Sequence, residues 1–543
     1  MIARLSCVHY RLMSSKRRER AAASALARRL GKTLSKENMT KAYLVGSGIA
    51  SLSAALYMIR DGDMRGADIT IFEYFHQLGG SLDADGNAKD GYLCRGTRGF
   101  DYRAYPCMQN VLASIPALGA PGKTVNDEIH AFCDHFSIDT KTRLMADGQA
   151  VPVVSYGVSA RDQLAITRLS LGSEASLKNR PISDFFSEAF FSSPFWWMFS
   201  TIFAFGRWHS AQEMRRYLHT FIQNVQDMDT LHSIRSSVSN NQDSIVRPMV
   251  DYLRKQGVNF VMDTEVIDLA FAPDASETVV QAIVCMQAGT RVEIQVAPDD
   301  KVLVTLGSIA APLDSGAWKL WHTIAQGRSD FGMPAVFTSQ TDKSTMTTCT
   351  ITLNDLEVYD MLRERFGQEP DVNRLTTFID SPWSLSLIVP KQPWFADQGP
   401  DTKVLWCYGI WPKGIGKFVP KRMEDCSPEE ILTELFSLLG LSDIPRLVQK
   451  TICRKSVLPA GHAQFLCRTP GDRPEVIPEK SRNLAFLGQY VESEGTTYTM
   501  EYSVRTAQKA VYQLLDIEKP MTSTYHGMAH PETLLRAARA FMR

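Results

Sequence analysis

The stretch KAYLVGSGIASLSAALYMIRDG (41–62), continued by ADITIFEYFHQLGGSLD (67–83), decides the fold. Tyr43 to Val45 reads as a short apolar strand, Gly46-Ser-Gly48-Ile-Ala-Ser51 as G-x-G-x-x-S, and Ser51 to Arg60 as a helix. Ile69 to Phe72 forms a second strand that ends in Glu73. Each part has a mechanical reason. Gly46 permits a tight turn, Gly48 leaves room for a pyrophosphate, and the small Ser51 allows close helix–strand packing. The helix N-terminus then faces the phosphates. Glu73 falls where a carboxylate accepts hydrogen bonds from ribose hydroxyls and repels a 2′-phosphate. A glycine triplet alone is weak; strand, helix, second strand and terminal acid in order are specific.

The residues beyond Glu73 favour FAD over NAD. Gly79-Gly80-Ser81 resembles the second glycine pair of flavoproteins with two dinucleotide-binding domains. GVNFVMDTEVIDLAF (257–271) reads as a strand pair that brings Val266 to an adenine edge. DKVLVTLGS (300–308) is a buried strand ending in Gly307 and Ser308. NLAFLGQYVE (483–492), with Gly488, is the last strand; TMEYSVRTAQKAVYQLL (499–515), opened by Thr499, is the helix that closes over the flavin. One cofactor site thus recurs along the chain, so the lobes must interleave. The expected class is α/β, a Rossmann-like FAD-binding lobe (41–130, 231–320, 451–515) threaded through a strand–helix substrate lobe (131–230, 321–450). A basic leader (1–40) and a helical C-terminal segment (516–543) flank them.

Composition narrows the function. The 543 residues hold 59 Lys+Arg against 59 Asp+Glu, which argues against a whole-molecule nucleic-acid binder. The 44% hydrophobic content excludes disorder. Ten cysteines without a C-x-x-C pair read as reduced thiols, with neither a disulfide framework nor a metal site. That places the protein inside the cell, in the cytoplasm or an organelle. The Arg/Lys-rich residues 1–40 fit either a transit peptide or a disordered basic extension. FFSSPFWWMFSTIFAF (190–205) is shorter than the roughly 20 apolar residues of a membrane span and contains Pro194. It reads as a buried helix or the wall of an apolar ligand site.

Further stretches carry a family likeness: FAFGRWHSAQEMRRYLHTF (203–221), DSIVRPMVDYLRKQGV (243–258), SPWSLSLIVPKQPWF (381–395), VLWCYGIWP (404–412), GDRPEVIP (471–478) and TMEYSVRTA (499–507). With the glycine motifs they make the chain resemble the fatty acid (oleate) hydratases, or myosin-cross-reactive antigens, over about residues 41–535. The resemblance implies FAD, an unsaturated fatty acid as substrate, and addition of water across a cis double bond without net redox change.

It also implies a Tyr that donates a proton and a Glu that orients water. Arg215-Arg216-Tyr217 matches the family's Arg-Arg-Tyr, making Tyr217 the candidate acid, its phenolate stabilised by Arg215 or Arg216. The Glu is missing: the family's R-G-G-R-E-M is Arg95-Gly96-Thr97-Arg98-Gly99-Phe100 here. Three readings stay open. Asp101 takes over through a remodelled loop; backbone carbonyls with Tyr102 or Tyr105 hold the water; or hydration is lost. In the last case the protein is a lipid or polyene isomerase or oxidoreductase, or a decayed FAD- and lipid-binding homologue. His462, Arg454, Lys455 and Arg468 are candidate carboxylate partners, Arg215 is a further candidate substrate residue, and Phe195, Trp196 and Trp197 are candidate walls of an acyl tunnel. HPETLLRAARAFMR (530–543) reads as a basic amphipathic helix with Leu534, Leu535, Ala538 and Phe541 on one face. Its expected partner is a membrane surface, the protein's own core, or the second copy of a homodimer.

Overall fold

The computed structural model describes residues 40–273, 276–367 and 374–542, so the basic leader lies outside the described residues except for its last position. Strands buried on both faces need continuous apolar runs, and the chain supplies them at the expected places. β1 (Ala42–Val45) leads through the glycine turn into α1 (Ile49–Arg60) and β2 (Ile69–Phe72). Much later come β3 (Asn259–Val261), β4 (Lys301–Thr305), β5 (Leu484–Leu487) and α2 (Met500–Leu514). All pairings are parallel and the order is β3-β2-β1-β4-β5, with Ala42 opposite both Ile69 and Lys301. This is the doubly wound order, whose direction reverses between β1 and β4 and opens a crevice there. α1 is buried continuously from Ile49 to Met58, as a helix that is apolar nearly all round should be. It packs on α2, with Tyr57 and Tyr512 edge to face at 6.0 Å.

The 257–271 stretch differs from its expected strand pair. Asn259–Val261 joins the parallel sheet beside β2, whereas Thr264–Phe271 starts a separate antiparallel sheet with Val280–Gln287 and Thr290–Gln295. Asp263, at φ 51°, turns the chain between the two sheets.

A second, seven-stranded sheet runs Thr451–Leu458, Met346–Leu353, Lys403–Gly409, Leu385–Val389, Arg374–Phe378, Leu144–Ala146, Gln149–Ala150. Its first strand crosses the expected lobe boundary at 451: Thr451–Leu458 pairs along the whole of Met346–Leu353. The third contribution to the parallel sheet therefore begins later, at β5.

The aromatic run forms a short helix, Pro194–Phe203, with Pro194 at its first turn and Ser193 capping the Trp196 N–H. No described helix is long and apolar enough to cross a membrane. The C-terminal helix, Pro531–Phe541, packs on the protein through small residues and leaves both leucines of its expected apolar face outward. Thr533, Ala537 and Ala540 are buried, while Leu534 and Leu535 are 38% and 53% exposed. Small residues let this helix sit close on the Ile222–Asp227 turn, and Phe541 reaches Phe195 at 5.1 Å.

Candidate functional site

A cavity of about 1130 Å³ opens at the carboxyl ends of β1, β2 and β4. Its wall includes Gly46, Gly48, Glu73, Gly79, Gly80, Ser81, Val266, Gly307, Ser308 and Gly488. Gly46 adopts φ +90°, which a side chain would resist, and its N–H donates to Phe72 O at 2.8 Å. A Cβ on Gly48 would meet no protein atom within 4 Å, so that position faces open cavity. On Gly307 a Cβ would lie 2.8 Å from Trp318. The first turn of α1, which carries no acidic residue, points its N–H groups into this space. Glu73 is buried and accepts from the Ser47 N–H at 2.8 Å and the Ser47 hydroxyl at 2.5 Å on one oxygen, and from the Phe75 N–H at 3.0 Å on the other. A carboxylate has about four acceptor sites, so capacity remains for one more donor, on the oxygen that faces Phe75 N–H. The donor set and the glycine cradle fit a dinucleotide.

Two expected cofactor residues are not in this wall. Ser51 is fully buried behind it, its Oγ 3.1 Å from Thr305 Oγ1, where α1 crosses β4. Thr499 is the N-cap of α2, accepting from the Tyr502 N–H at 3.2 Å, and lines a second cavity instead. The turn that precedes α2 explains this. Tyr498 takes φ 70°, so Tyr498 and Thr499 face the second cavity while Met500 and Ser503 face the first.

The second cavity, about 1260 Å³, is walled by Ile202, Phe203, Tyr217, Phe221, Leu375, Ile388, Trp406 and Tyr408 on its apolar sides. Arg98 lines both cavities, its guanidinium 4.4 Å from the Tyr498 ring centre. Tyr217 is 2% exposed, ringed by Phe203, Phe205 and Phe465, and its OH donates to Thr497 O at 2.6 Å. Burial pushes its pKa well above 10, with Tyr105, Glu213 and Tyr498 adding to the rise and Arg98 opposing it. The phenol is therefore proton-loaded throughout the physiological range.

The cation expected beside Tyr217 is not the one found. Successive residues on a helix turn by about 100°, so Arg215 and Arg216 leave the face that carries Tyr217. Arg216 bridges Glu174 and Glu492 at 2.8 Å each, and Arg215 donates to Gly172 O at 2.7 Å. Arg98, from a segment more than a hundred residues earlier, lines the same cavity, and its opposing charge is outweighed by the burial that raises the Tyr217 pKa.

Asp101 lies in the wall of the second cavity and is buried. Its two oxygens accept from the Arg103 backbone N–H at 2.8 Å and the Gln223 amide at 3.1 Å, neither of them a guanidinium. Tyr105 shares that wall, whereas Tyr102 stacks on His130 at 3.8 Å away from it. Gly99 also faces this cavity, where a Cβ would stand 2.9 Å from Ile234 Cγ2 and 3.1 Å from Arg235 O. The cause is backbone pairing: Phe100 and Arg235 exchange N–H···O bonds of 2.9 Å.

The remaining expected substrate residues do not reach the cavity. His462 is buried against His209, ring nitrogen to ring nitrogen 3.1 Å. Arg468 pairs with buried Glu213 at 2.9 Å; Arg454 donates to Gly91 O, and Lys455 to Glu424 O and Cys426 O. Trp197 packs on Trp411 at 5.5 Å, and Phe195 and Trp196 pack among Phe190 and Phe199. From that helix it is Thr201, Ile202 and Phe203 that line the cavity. Sequence reasoning misses the roles of Arg98 and Arg235 in this wall, and the hold of Gln223 on Asp101. Arg98 sits in the quoted RGTRGF motif; the other two carry no local signal.

Sheet order, switch-point crevice and glycine cradle together define the class, a doubly wound α/β protein whose crevice adjoins a second, largely aromatic cavity. The chain matches the model of the MCRA family over residues 39–512 and belongs to that family. It is 34% identical over 523 residues to an oleate hydratase of Streptococcus pyogenes serotype M49 (strain NZ131), spanning 91% of this chain and 88% of that protein. It is 28% identical over 562 residues to a linoleate hydratase of Lactiplantibacillus plantarum, spanning 92% and 98% respectively. Among solved structures, cyclohexylamine oxidase from Brevibacterium oxydans IH-35A shares the fold, with TM-score 0.54 and 12% identity over 88% of this chain and 99% of that one.

Proposed function

We propose that the protein is an FAD-dependent fatty acid hydratase that adds water across a cis double bond to give a hydroxy fatty acid. The observation that carries this reading is Tyr217, buried among aromatic rings in a cavity that shares Arg98 with the glycine-lined crevice. The hydratase relatives, at 34% and 28% identity, support the substrate class. FAD would be held by the Gly46–Ala50 turn, Glu73, Gly79–Ser81, Val266, Gly307–Ser308 and Gly488. When bound it would close and polarise the wall that the two cavities share.

This chain's own groups account for the proton movements. Tyr217 turns from Thr497 O and gives its proton to one alkene carbon, and the charge of Arg98, in the same cavity wall, favours the phenolate. The water oxygen bonds to the other carbon and Asp101, steadied by Gln223, takes the water's proton. Proton return from Asp101 to the phenolate through solvent resets the site, so the sum is water plus alkene. The aromatic walls exclude competing water.

A second reading, a homologue that binds FAD and lipid without turnover, is favoured by the crowded position at Gly99, where a side chain would have to displace Ile234. One experiment separates the two. FAD-loaded protein with a reductant is incubated with a panel of unsaturated fatty acids in oxygen-18 water. A labelled hydroxy product is expected, with Tyr217→Phe reducing turnover by about 10²–10⁴-fold while flavin and fatty acid still bind. Bound flavin without product from any acid would leave the non-catalytic reading standing.

A further inference from the structure

The charged residues that line the larger cavity, among those described, are Arg98, Asp101 and Arg235. Two of them already have work. Arg98 lies over the Tyr498 ring at the junction of the cavities, and Asp101 is held by Gln223 and the Arg103 N–H. Arg235 is different. It is half-buried, one of its guanidinium nitrogens donates to Cys133 O at 2.8 Å, and no described carboxylate pairs with it. Its backbone is fixed by the reciprocal bonds to Phe100, so the side chain starts from a rigid base.

The wall beyond Arg235 is polar and ordered. Ser237 Oγ donates to Ser239 O at 2.6 Å and accepts from Asn241 at 3.2 Å, and Asn241 Oδ1 in turn accepts from the Arg98 N–H at 2.8 Å. The facing wall of Ile202, Phe203, Leu375 and Ile388 is apolar. A ligand suited to this lining is a long apolar chain with one anionic end. Another buried cation nearby, Arg143, is directed at Thr377, Thr201 and Met198 O and lies behind the wall.

We propose that Arg235 is the anchor for the ligand's carboxylate and sets the preference for a free acid over a neutral lipid. This rests on the fatty acid reading above. The guanidinium nitrogens not committed to Cys133 O offer a charge-assisted fork to the two carboxylate oxygens. A hydrogen bond of that kind corresponds to about a 10–100-fold difference in affinity.

The test is equilibrium binding, read without turnover. FAD-loaded protein is titrated with an 18-carbon monounsaturated acid and with the primary alcohol of the same chain. Wild type should prefer the acid by about 10–100-fold. Arg235→Ala should bring the acid to the level of the alcohol and leave the alcohol unchanged, and Arg235→Lys should regain part of the preference. Flavin loading and thermal unfolding of each variant report that the fold is intact. Equal weakening of acid and alcohol, or an unaltered acid affinity, overturns the anchor. Wild-type protein that binds neither ligand overturns the fatty acid reading and the anchor with it.

Discussion

A glycine can be kept because its own backbone needs the freedom or because something else needs the space, and Gly48 separates these. Its backbone is ordinary, φ −67° and ψ 174°, and a Cβ there would touch nothing in the protein. Gly48→Ala should therefore leave the flavin-free protein's stability within about 0.5 kcal/mol of wild type. Flavin affinity should fall, because the methyl group would stand where the pyrophosphate approaches. Urea unfolding of stripped protein and fluorescence titration with FAD read the two effects separately. Unchanged flavin affinity would show that the phosphates lie elsewhere. Gly307 is the contrasting case, since Trp318 and Tyr490 already fill its Cβ position and substitution there disturbs the fold directly. Sequence alone assigns both glycines to one site. Only the packing around each shows that their reasons differ.

At the scale of elements, the exchange of backbone bonds between Phe100 and Arg235 fixes the loop that carries Arg98, Gly99 and Asp101. The loop could not be read from its own residues, because the segment that shapes it lies more than a hundred positions away. That pairing closes the space at Gly99. Gly99→Glu should thus fail to restore a water-orienting carboxylate and should cost about 1–3 kcal/mol through forced displacement of Ile234. Denaturant unfolding gives the cost; a stable variant with faster hydration would show that the loop yields. Elsewhere the elements were legible from local pattern. The β1-turn-α1-β2 unit, β4, β5 and α2 begin within a residue or two of the expected places, since continuous apolar runs and a glycine turn act over short range. Which of the three open partners the C-terminal helix would meet was not, because the surface that buries Ala537 and Ala540 comes from distant segments.

The whole molecule carries a pH dependence from a pair of histidines that adjoin the Tyr217 cluster. Gly206 N–H donates to His209 Nδ1 at 2.8 Å, which places the His209 proton on Nε2, facing His462 Nδ1 at 3.1 Å. Burial lowers both pKa values, that of His462 to about 3 and that of His209 well below 6.5. The folded protein keeps them neutral while the unfolded chain takes up protons below about pH 6.5. Their contribution is therefore full above that pH and is lost as the pH falls toward the folded values. Between pH 7.0 and 5.5, where carboxylates remain ionised, each should cost about 1.2 kcal/mol. Urea unfolding at the two pH values tests this. His462→Gln should reduce the difference by about 1.2 kcal/mol and the double variant with His209→Gln by about twice that, the remainder including His219 and His322, whose pKa values burial also lowers. An undiminished difference in the double variant would assign the effect to other groups.

By itself the sequence determined the strand–glycine turn–helix unit and the interleaving of its strands along the chain, because apolar period, turn glycines and motif spacing are properties of neighbouring residues. Tertiary structure alone decided that Arg98, not Arg215 or Arg216, shares a cavity wall with Tyr217, that Gln223 holds Asp101, and that His462 and Trp197 stay out of the cavity. Those outcomes depend on which side chains from distant segments converge after the sheets have packed. No local pattern encodes the direction in which a helix face or a loop will finally point.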